Sequence, residues 1–218
     1  MEILRFALQR YAITLGEIGI AVVAATLCAG EVSAQTAERG AGAIATTVLG
    51  VLPKVPLYWY LDTFPDRATA EAAIGARSAV AESFGKVWLF TIAEAGWRPT
   101  QGIHVARVGP LPLTSGRTFT ATYLDAATAP GFQTDVHQHA GPEALYTIAG
   151  EVCLETPSGK MVGRAGGEAL LIAGDQPMRL TSIGTEKRRS IVLVLHDSSR
   201  PWKVPAAGWT PKGLCSNG

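Results

Sequence analysis

The C-terminal half of the chain alternates short apolar runs with turn residues, a pattern typical of a β-rich fold. From residue 118 onward, segments such as TFTATYLDA, ALYTIAG, ALLIAGDQP and SIVLVLHD follow one another, each with a turn signal behind it. Turn clusters recur roughly every 8 to 12 residues, the spacing of a β-sandwich or a small barrel. Because no crossover helix fits between these segments, we predict antiparallel strands. The composition of PSGK (157–160) and IGTEKR (183–188) indicates hairpin loops.

The residues before the barrel predict a β–α–β segment over 57–94. LYWYLDTF is aromatic and typical of a strand, and Pro65 and Asp66 begin an alanine-rich helical segment. VAESFGKVWLFTIAE follows as strand material, in which Gly85 marks a turn or a bulge. Residues 35–56 are small and apolar, and the pattern leaves open a loosely ordered lead-in and a short helix.

These patterns divide the chain into four parts. We predict a signal peptide over 1–34, a lead-in with the β–α–β extension over 35–115, a barrel over 116–200 and an extended C-terminal strap over 201–218. The strap is rich in Pro and Gly, and we expect Cys215 to fasten it to the barrel.

The signal peptide is predicted from charge and residue size. Arg5 and Arg10 form a weakly basic start, and an uncharged 13-residue run (IGIAVVAATLCAG) follows. Val32 and Ala34 then stand at the −3 and −1 positions of a cut before Gln35. The run is shorter than the ~20 apolar residues of a membrane span, although an uncleaved anchor is the alternative. We therefore expect a periplasmic or secreted protein with no stable membrane insertion after cleavage.

The net charge gives no indication of nucleic-acid binding, and the cysteine count predicts a disulfide. The chain has 19 basic and 18 acidic residues, so nothing in its net charge of +1 points to nucleic acid. After removal of the signal peptide, Cys153 and Cys215 remain. An even pair in an oxidising compartment predicts one disulfide, with two buried thiols as the alternative.

The stretch GFQTDVHQHAGPEALYTIAG (131–150) holds the candidate chemistry. If VHQHA is a strand, His137 and His139 share one face, about 7 Å apart. AGP then makes a turn, and Glu143 begins the next strand beside them. Two imidazoles and one carboxylate on a barrel wall form a facial triad suited to Fe, Mn, Zn or Ni. The alternative is a solvent-facing hairpin.

This stretch resembles the first motif of the cupins. The pattern Gly, five residues, His-x-His, three residues, Glu, six residues, Gly is complete from Gly131 to Gly150. The resemblance covers about 118–197 and implies a mainly β, double-stranded β-helix (jelly-roll) cupin barrel. It also implies that His137, His139 and Glu143 are the first three ligands of a divalent metal.

The second cupin motif is degenerate in this chain. Gly166 and Gly174 occupy its glycine positions, but Ile172 stands where the family has proline, and no histidine occurs between His139 and His196. The family's fourth ligand is therefore missing. The metal is then held by three protein ligands with waters, or Met178 is a weak soft ligand that favours Cu, or the metal is lost and a polar cavity remains.

Other residues contribute less to the functional interpretation. We expect His196 at the barrel rim and Tyr146 in packing, and we assign His104 no role. The catalytic residues stay unknown, because no Ser-His-Asp or Cys-His spacing is present.

Two functions from different classes follow from the resemblance. The first is an exported metal-binding protein acting as a small-molecule metalloenzyme of the oxygenase or isomerase kind. The second is a non-catalytic module that binds or senses a small molecule without metal. Cupins often pair through barrel faces, so a homodimer is a further expectation, and the β–α–β extension is then expected to cover one sheet.

Overall fold

The computed structural model describes residues 41–215, and the predicted signal peptide lies outside them. Nearly all of its regular structure is antiparallel strand, so the predicted mainly β class is confirmed. No helix among the described residues is long and apolar enough to cross a membrane. The elements are β1 (Gly42–Val51), β2 (Tyr58–Phe64), α1 (Arg67–Ala72), β3 (Ser78–Ser83), β4 (Lys86–Ala93), β5 (Ile103–Val108), β6 (Thr118–Thr128), β7 (His137–Gln138), β8 (Glu143–Ala149), β9 (Glu151–Thr156), β10 (Gly159–Arg164), β11 (Leu170–Ile172), β12 (Arg179–Ile183), β13 (Arg188–Asp197) and β14 (Val204–Pro205).

A five-stranded and a three-stranded sheet enclose the barrel core. The larger sheet has the order β1-β6-β13-β8-β11 and the smaller the order β10-β9-β12. Because side chains alternate across a strand, Leu124, Leu145 and Val192 of the larger sheet point inward together. They pack against Leu154 and Leu180 of the smaller sheet in one buried cluster. Burying such side chains stabilises the fold by roughly 2 kcal/mol each.

The outer face of the five-stranded sheet is covered by a second sheet of order β3-β4-β2-β5. Phe90 of β4 stacks on Tyr123 of β6 with ring centroids 4.7 Å apart, and Trp59 of β2 contacts both rings. The central strand β13 is consequently buried on both faces at every position except Arg189. The expectation that the N-terminal extension covers one sheet agrees with this packing.

The predicted lead-in is wrong over residues 42–51. This segment is the strand β1, which pairs with β6 along its length and extends the barrel sheet beyond the predicted start at 116. The alternation is hard to read because β1 lies at a sheet edge, where Val48 and Val51 are left 75% and 67% exposed. Pairing with β6 therefore decides the conformation, and Ile44, Ala45 and Leu49 add partial packing against the core.

The predicted β–α–β segment needs two additions. Residues 78–93 fold into a hairpin of β3 and β4, and the turn predicted at Gly85 is confirmed there, with φ of 52° at Phe84 and 71° at Gly85. Positive φ at both positions is the geometry of a two-residue hairpin turn. The strand β5 was not predicted, and its half-exposed residues explain the weak pattern.

The C-terminal strap lies over the barrel mouth and is fastened at two places. β14 pairs with β7, and the Ala206 backbone N–H donates to the Val136 carbonyl at 3.3 Å. Further along, a disulfide joins Cys153 to Cys215 with Cα atoms 5.6 Å apart, as the cysteine count predicted. The strap is thus attached to β7, which bears His137, and to β9, which bears Cys153.

We expect loss of the disulfide to lower the free energy of unfolding by about 2 to 4 kcal/mol, because the bond closes a long loop in the unfolded chain. The measurement is chemical denaturation of the native protein and of a Cys153→Ala/Cys215→Ala variant. A reducing agent should lower the stability of the native protein and leave the variant unchanged. Equal stability of the two oxidised proteins would contradict this expectation.

Two glycines allow the chain to pass closely behind the candidate site. A Cβ on Gly141 would lie 2.1 Å from the Leu195 carbonyl oxygen, and one on Gly174 would lie 2.6 Å from the Cα of Gly141. Gly141 has no positive φ, so its requirement is purely for space. This contact sets the position of the turn from which Glu143 emerges.

Gly141→Ala should therefore cost roughly 3 kcal/mol of stability or more, because the added methyl group meets backbone that cannot move aside. Gly75→Ala is the matched control, since its Cβ would meet nothing closer than 3.6 Å at an unexceptional φ. Thermal unfolding of the two variants gives the comparison. Similar melting temperatures of the two variants would contradict this expectation and show that the backbone at Gly141 can shift to accommodate a methyl group.

Candidate metal centre

Two short segments position the three candidate ligands. His137 opens β7, and its backbone exchanges hydrogen bonds with that of Met178 at 3.1 and 2.8 Å. On the other side of β7, His137 pairs with Pro205 of the strap. Glu143 opens β8, where its backbone pairs with β11 and β13. The ligands therefore stand on backbone that is fixed on both sides.

The structure brings the side chains of His137, His139 and Glu143 together, as the spacing predicted. One potential ligand atom from each lies within 4.8 Å of the others. The two imidazoles are nearly perpendicular, with centroids 5.0 Å apart. All three residues are at most 4% exposed. The solvent-facing hairpin is therefore wrong, because these polar groups converge inside the barrel.

Both imidazoles use the same nitrogen to contact the backbone. His137 Nδ1 lies 2.7 Å from the Asp135 carbonyl oxygen, and His139 Nδ1 lies 2.6 Å from the Trp202 carbonyl oxygen. A carbonyl can only accept, so each Nδ1 holds the proton. In the neutral rings the Nε2 lone pairs are then free to bind a cation, the arrangement seen when histidine ligates a metal.

The carboxylate of Glu143 is incompletely satisfied. Its Oε2 lies 3.2 Å from His139 Nε2, within ion-pair distance, but the geometry does not make a hydrogen bond. Oε2 has no other hydrogen-bond partner among residues 41–215. A buried carboxylate oxygen in this state is costly unless a cation binds it.

Burial and charge act in opposite directions on the triad. Burial lowers the pKa of His137 and favours its neutral form. Burial also lowers the pKa of His139, but the contact with the Glu143 carboxylate outweighs it, and the net pKa is raised. For Glu143, burial raises the pKa and the two histidines lower it further than that, leaving the carboxylate ionised. A divalent cation would therefore compete with a proton on His139.

The strap supplies a contact that the sequence analysis missed. The Trp202 ring stacks on His139 with an interplanar angle of 9° and a centroid separation of 5.6 Å. Together with its carbonyl, Trp202 therefore fixes both the tautomer and the plane of His139. The sequence predicted a strap over 201–218, but it did not indicate which strap residue would contact His139.

The other singled-out residues lie outside the triad. His196 is buried rather than at an open rim, with Nδ1 3.1 Å from the Asp197 carbonyl and Nε2 3.5 Å from Thr122 Oγ1. His104 pairs with Asp62 at 2.9 Å, which is a role that the sequence did not indicate. Met178 packs in the barrel core, and Tyr146 packs as expected.

A cavity of about 400 Å³ opens onto the triad. Its apolar walls include Leu124, Phe132 and Val192, and its polar walls include Thr134 and Asp135 beside the triad. Arg188, the first residue of β13, also lines it and is only 3% exposed. Burial lowers the pKa of Arg188 to about 10, although the charge of Glu143 opposes the shift. The loop predicted over 183–188 ends one residue too late, because Arg188 already belongs to β13 and lines the cavity.

No family model matches the chain, and no curated protein matches it. Solved structures do match at low identity. A cupin-like protein from Thermotoga maritima is 15% identical, with a TM-score of 0.36 over 39% of this chain and 64% of its own. A cupin family protein from Methanocaldococcus jannaschii with a double-stranded β-helix fold is 16% identical, with a TM-score of 0.32 over 34% of this chain and 67% of its own.

An oxalate oxidase in complex with the substrate analogue glycolate is 20% identical, with a TM-score of 0.32 over 39% of this chain and 45% of its own. The chain thus spans less than two thirds of the length of two of these three proteins. The mainly β fold with antiparallel sheets that the resemblance implies is the one observed.

Proposed function

We propose that this chain is an exported cupin-barrel protein that binds a divalent metal through His137 Nε2, His139 Nε2 and the Glu143 carboxylate. The observation that supports this most directly is the pair of Nδ1 contacts to backbone carbonyls. They leave both Nε2 lone pairs free, in a cluster where one potential ligand atom from each of the three residues lies within 4.8 Å of the others. Such an arrangement is unfavourable without a cation at its centre.

The donor set fits a transition metal of the facial-triad kind. Two nitrogens and one carboxylate suit Fe, Mn, Zn, Ni or Cu, and no fourth His, Cys, Asp or Glu joins the cluster in the described chain. Three protein ligands leave coordination positions for water or substrate. When bound, the metal supplies Lewis acidity or activates oxygen or water on a small organic molecule.

The chain's own residues prepare this chemistry by orientation and exclusion of water. The carbonyls of Asp135 and Trp202 hold the imidazole protons away from the centre. The stacked Trp202 ring and the apolar wall keep bulk water from the triad. Export agrees with the disulfide, since such bonds persist in oxidising compartments.

A non-catalytic binding module is the second candidate. The observation in its favour is that Glu143 Oε2 lies 3.2 Å from His139 Nε2, an ion-pair distance that needs no metal once His139 is protonated. In that case the cavity binds a small molecule and the triad is an ion pair of His139 and Glu143. A homodimer stays a prediction under either function.

Metal content by mass spectrometry of the purified protein tests the first proposal. We expect about one transition metal per chain, and loss of that metal in His137→Ala, His139→Ala and Glu143→Gln. The matched controls are His104→Asn and His196→Asn, which should retain it because neither side chain joins the triad. Chelation should also lower the melting temperature of the parent protein, since a bound metal stabilises only the folded state.

Absence of metal after purification and after reloading with each of the five metals would overturn the proposal. Retention of metal in Glu143→Gln and His137→Ala together would place the metal elsewhere. Metal lost equally from the controls would mean that the substitutions act through folding, which the thermal melts of the same variants detect.

Trp202→Ala should weaken metal binding roughly 10- to 100-fold, because it removes the ring that fixes the plane of His139. Trp209→Ala is the matched control, being a half-buried tryptophan of the same strap without contact to the triad. Competition of each variant with a chromogenic chelator gives the affinities. Equal affinities of the two variants would show that the strap does not orient His139.

A further inference from the structure

Arg188 is a buried charge that makes no side-chain hydrogen bond or ion pair among residues 41–215, although the charge of Glu143 acts on it. Its Nε has no hydrogen-bond partner, and its guanidinium makes no ion pair within 4.0 Å among residues 41–215. Only 3% of the residue is exposed. Leaving a guanidinium buried and unpaired is expensive, and replacing such a charge by an apolar side chain often stabilises a protein. The stability of the fold therefore gives no reason for an arginine to be buried at position 188.

The backbone holds Arg188 firmly at this position. It pairs with Thr128 of β6, and it lies on the same strand face as Val192, which also lines the cavity. A Cβ on Gly150 would lie 3.0 Å from the Arg188 Cα, so the last glycine of the first motif permits this close approach. The guanidinium is therefore set into the cavity wall by the fold and not by a mobile loop.

Arg188 and the triad occupy different parts of that wall. Glu143 pairs with Val194, and Arg188 lies six residues earlier on β13, but both side chains line the same cavity and the charge of Glu143 acts on the Arg188 guanidinium. Between them the cavity is lined by Leu124, Leu180 and Val192. A molecule that contacts both ends must place an anionic group at one end and an apolar body along the wall.

The charges that line the cavity set the sign of the ligand. The buried ones are Glu143 and Arg188, whereas Asp135 and Lys203 are exposed and of opposite sign. With a divalent metal on the triad, the buried charges would sum to a net excess of two positive charges. One guanidinium fork matches one carboxylate, and among the described residues no second buried Arg or Lys lines the cavity to meet a phosphate dianion.

We infer that Arg188 binds the carboxylate of a small monocarboxylate with an apolar or aromatic body, and that the cavity is the binding site for this class of molecule. This inference rests on the proposed function in placing the other end of the ligand at the triad. Arg188 is then the residue that selects acids over neutral compounds of the same shape.

The test is isothermal titration with two pairs of probes, benzoate with benzamide and isovalerate with isovaleramide. Each pair keeps the shape of the molecule and changes its charge. We expect the acids to bind roughly 10-fold or more tightly than the amides, and Arg188→Met to abolish this difference. Arg189→Met is the matched control, since Arg189 is the next residue of β13 and its side chain is exposed on the opposite face.

Thermal melts of the same variants separate recognition from folding. Arg188→Met should melt at the same temperature as the parent or higher, because the substitution removes an unpaired buried charge. A large loss of stability would identify Arg188 as a structural partner of Glu143 and overturn the inference. So would acids binding no better than amides, no binding of any of the four probes, or equal effects of the two arginine substitutions.

Titrations before and after chelation keep this inference separate from the proposed metal site. A protein without metal whose acid binding still depends on Arg188 would support the inference and remove the proposed function. A protein that holds metal but binds the acids equally well with Arg188→Met would support the proposed function and overturn the inference.

Discussion

The need to bury β13 on both faces governs the architecture. Its residues alternate between the barrel interior and the aromatic layer around Trp59 and Phe90, so neither face can meet water without loss of stability. One sheet cannot satisfy this alone. The three-stranded sheet closes the inner face and the N-terminal sheet closes the outer face. Arg188, at the start of β13, is thereby fixed in the cavity wall. Leu195, near its end, is fixed against Gly141 in the turn that precedes Glu143.

Much of this was available from the sequence because strand alternation and turn chemistry are local. The period of the turns predicted the barrel, and the spacing of His137, His139 and Glu143 predicted their convergence. The cysteine count predicted the disulfide for a chemical reason, since an exported chain with two thiols tends to pair them.

The remaining features depend on packing that no local pattern encodes. β1 was missed because an edge strand needs no alternation, and its partner β6 lies far along the chain. Arg188 was assigned to a hairpin loop because its neighbours Glu186 and Lys187 are polar. Trp202 contacts His139 only because the strap docks in one register. In each case the deciding contact joins residues distant in sequence.

The fastening of the strap links the redox state of the protein to the geometry of the triad. One residue of the strap holds the proton of His139, and the end of the strap is covalently attached to β9 through Cys215. Until the thiols are oxidised, only non-covalent contacts keep Trp202 in place. The disulfide holds the end of the strap beyond Trp202, so its reduction lengthens the free chain that follows the residue in contact with His139.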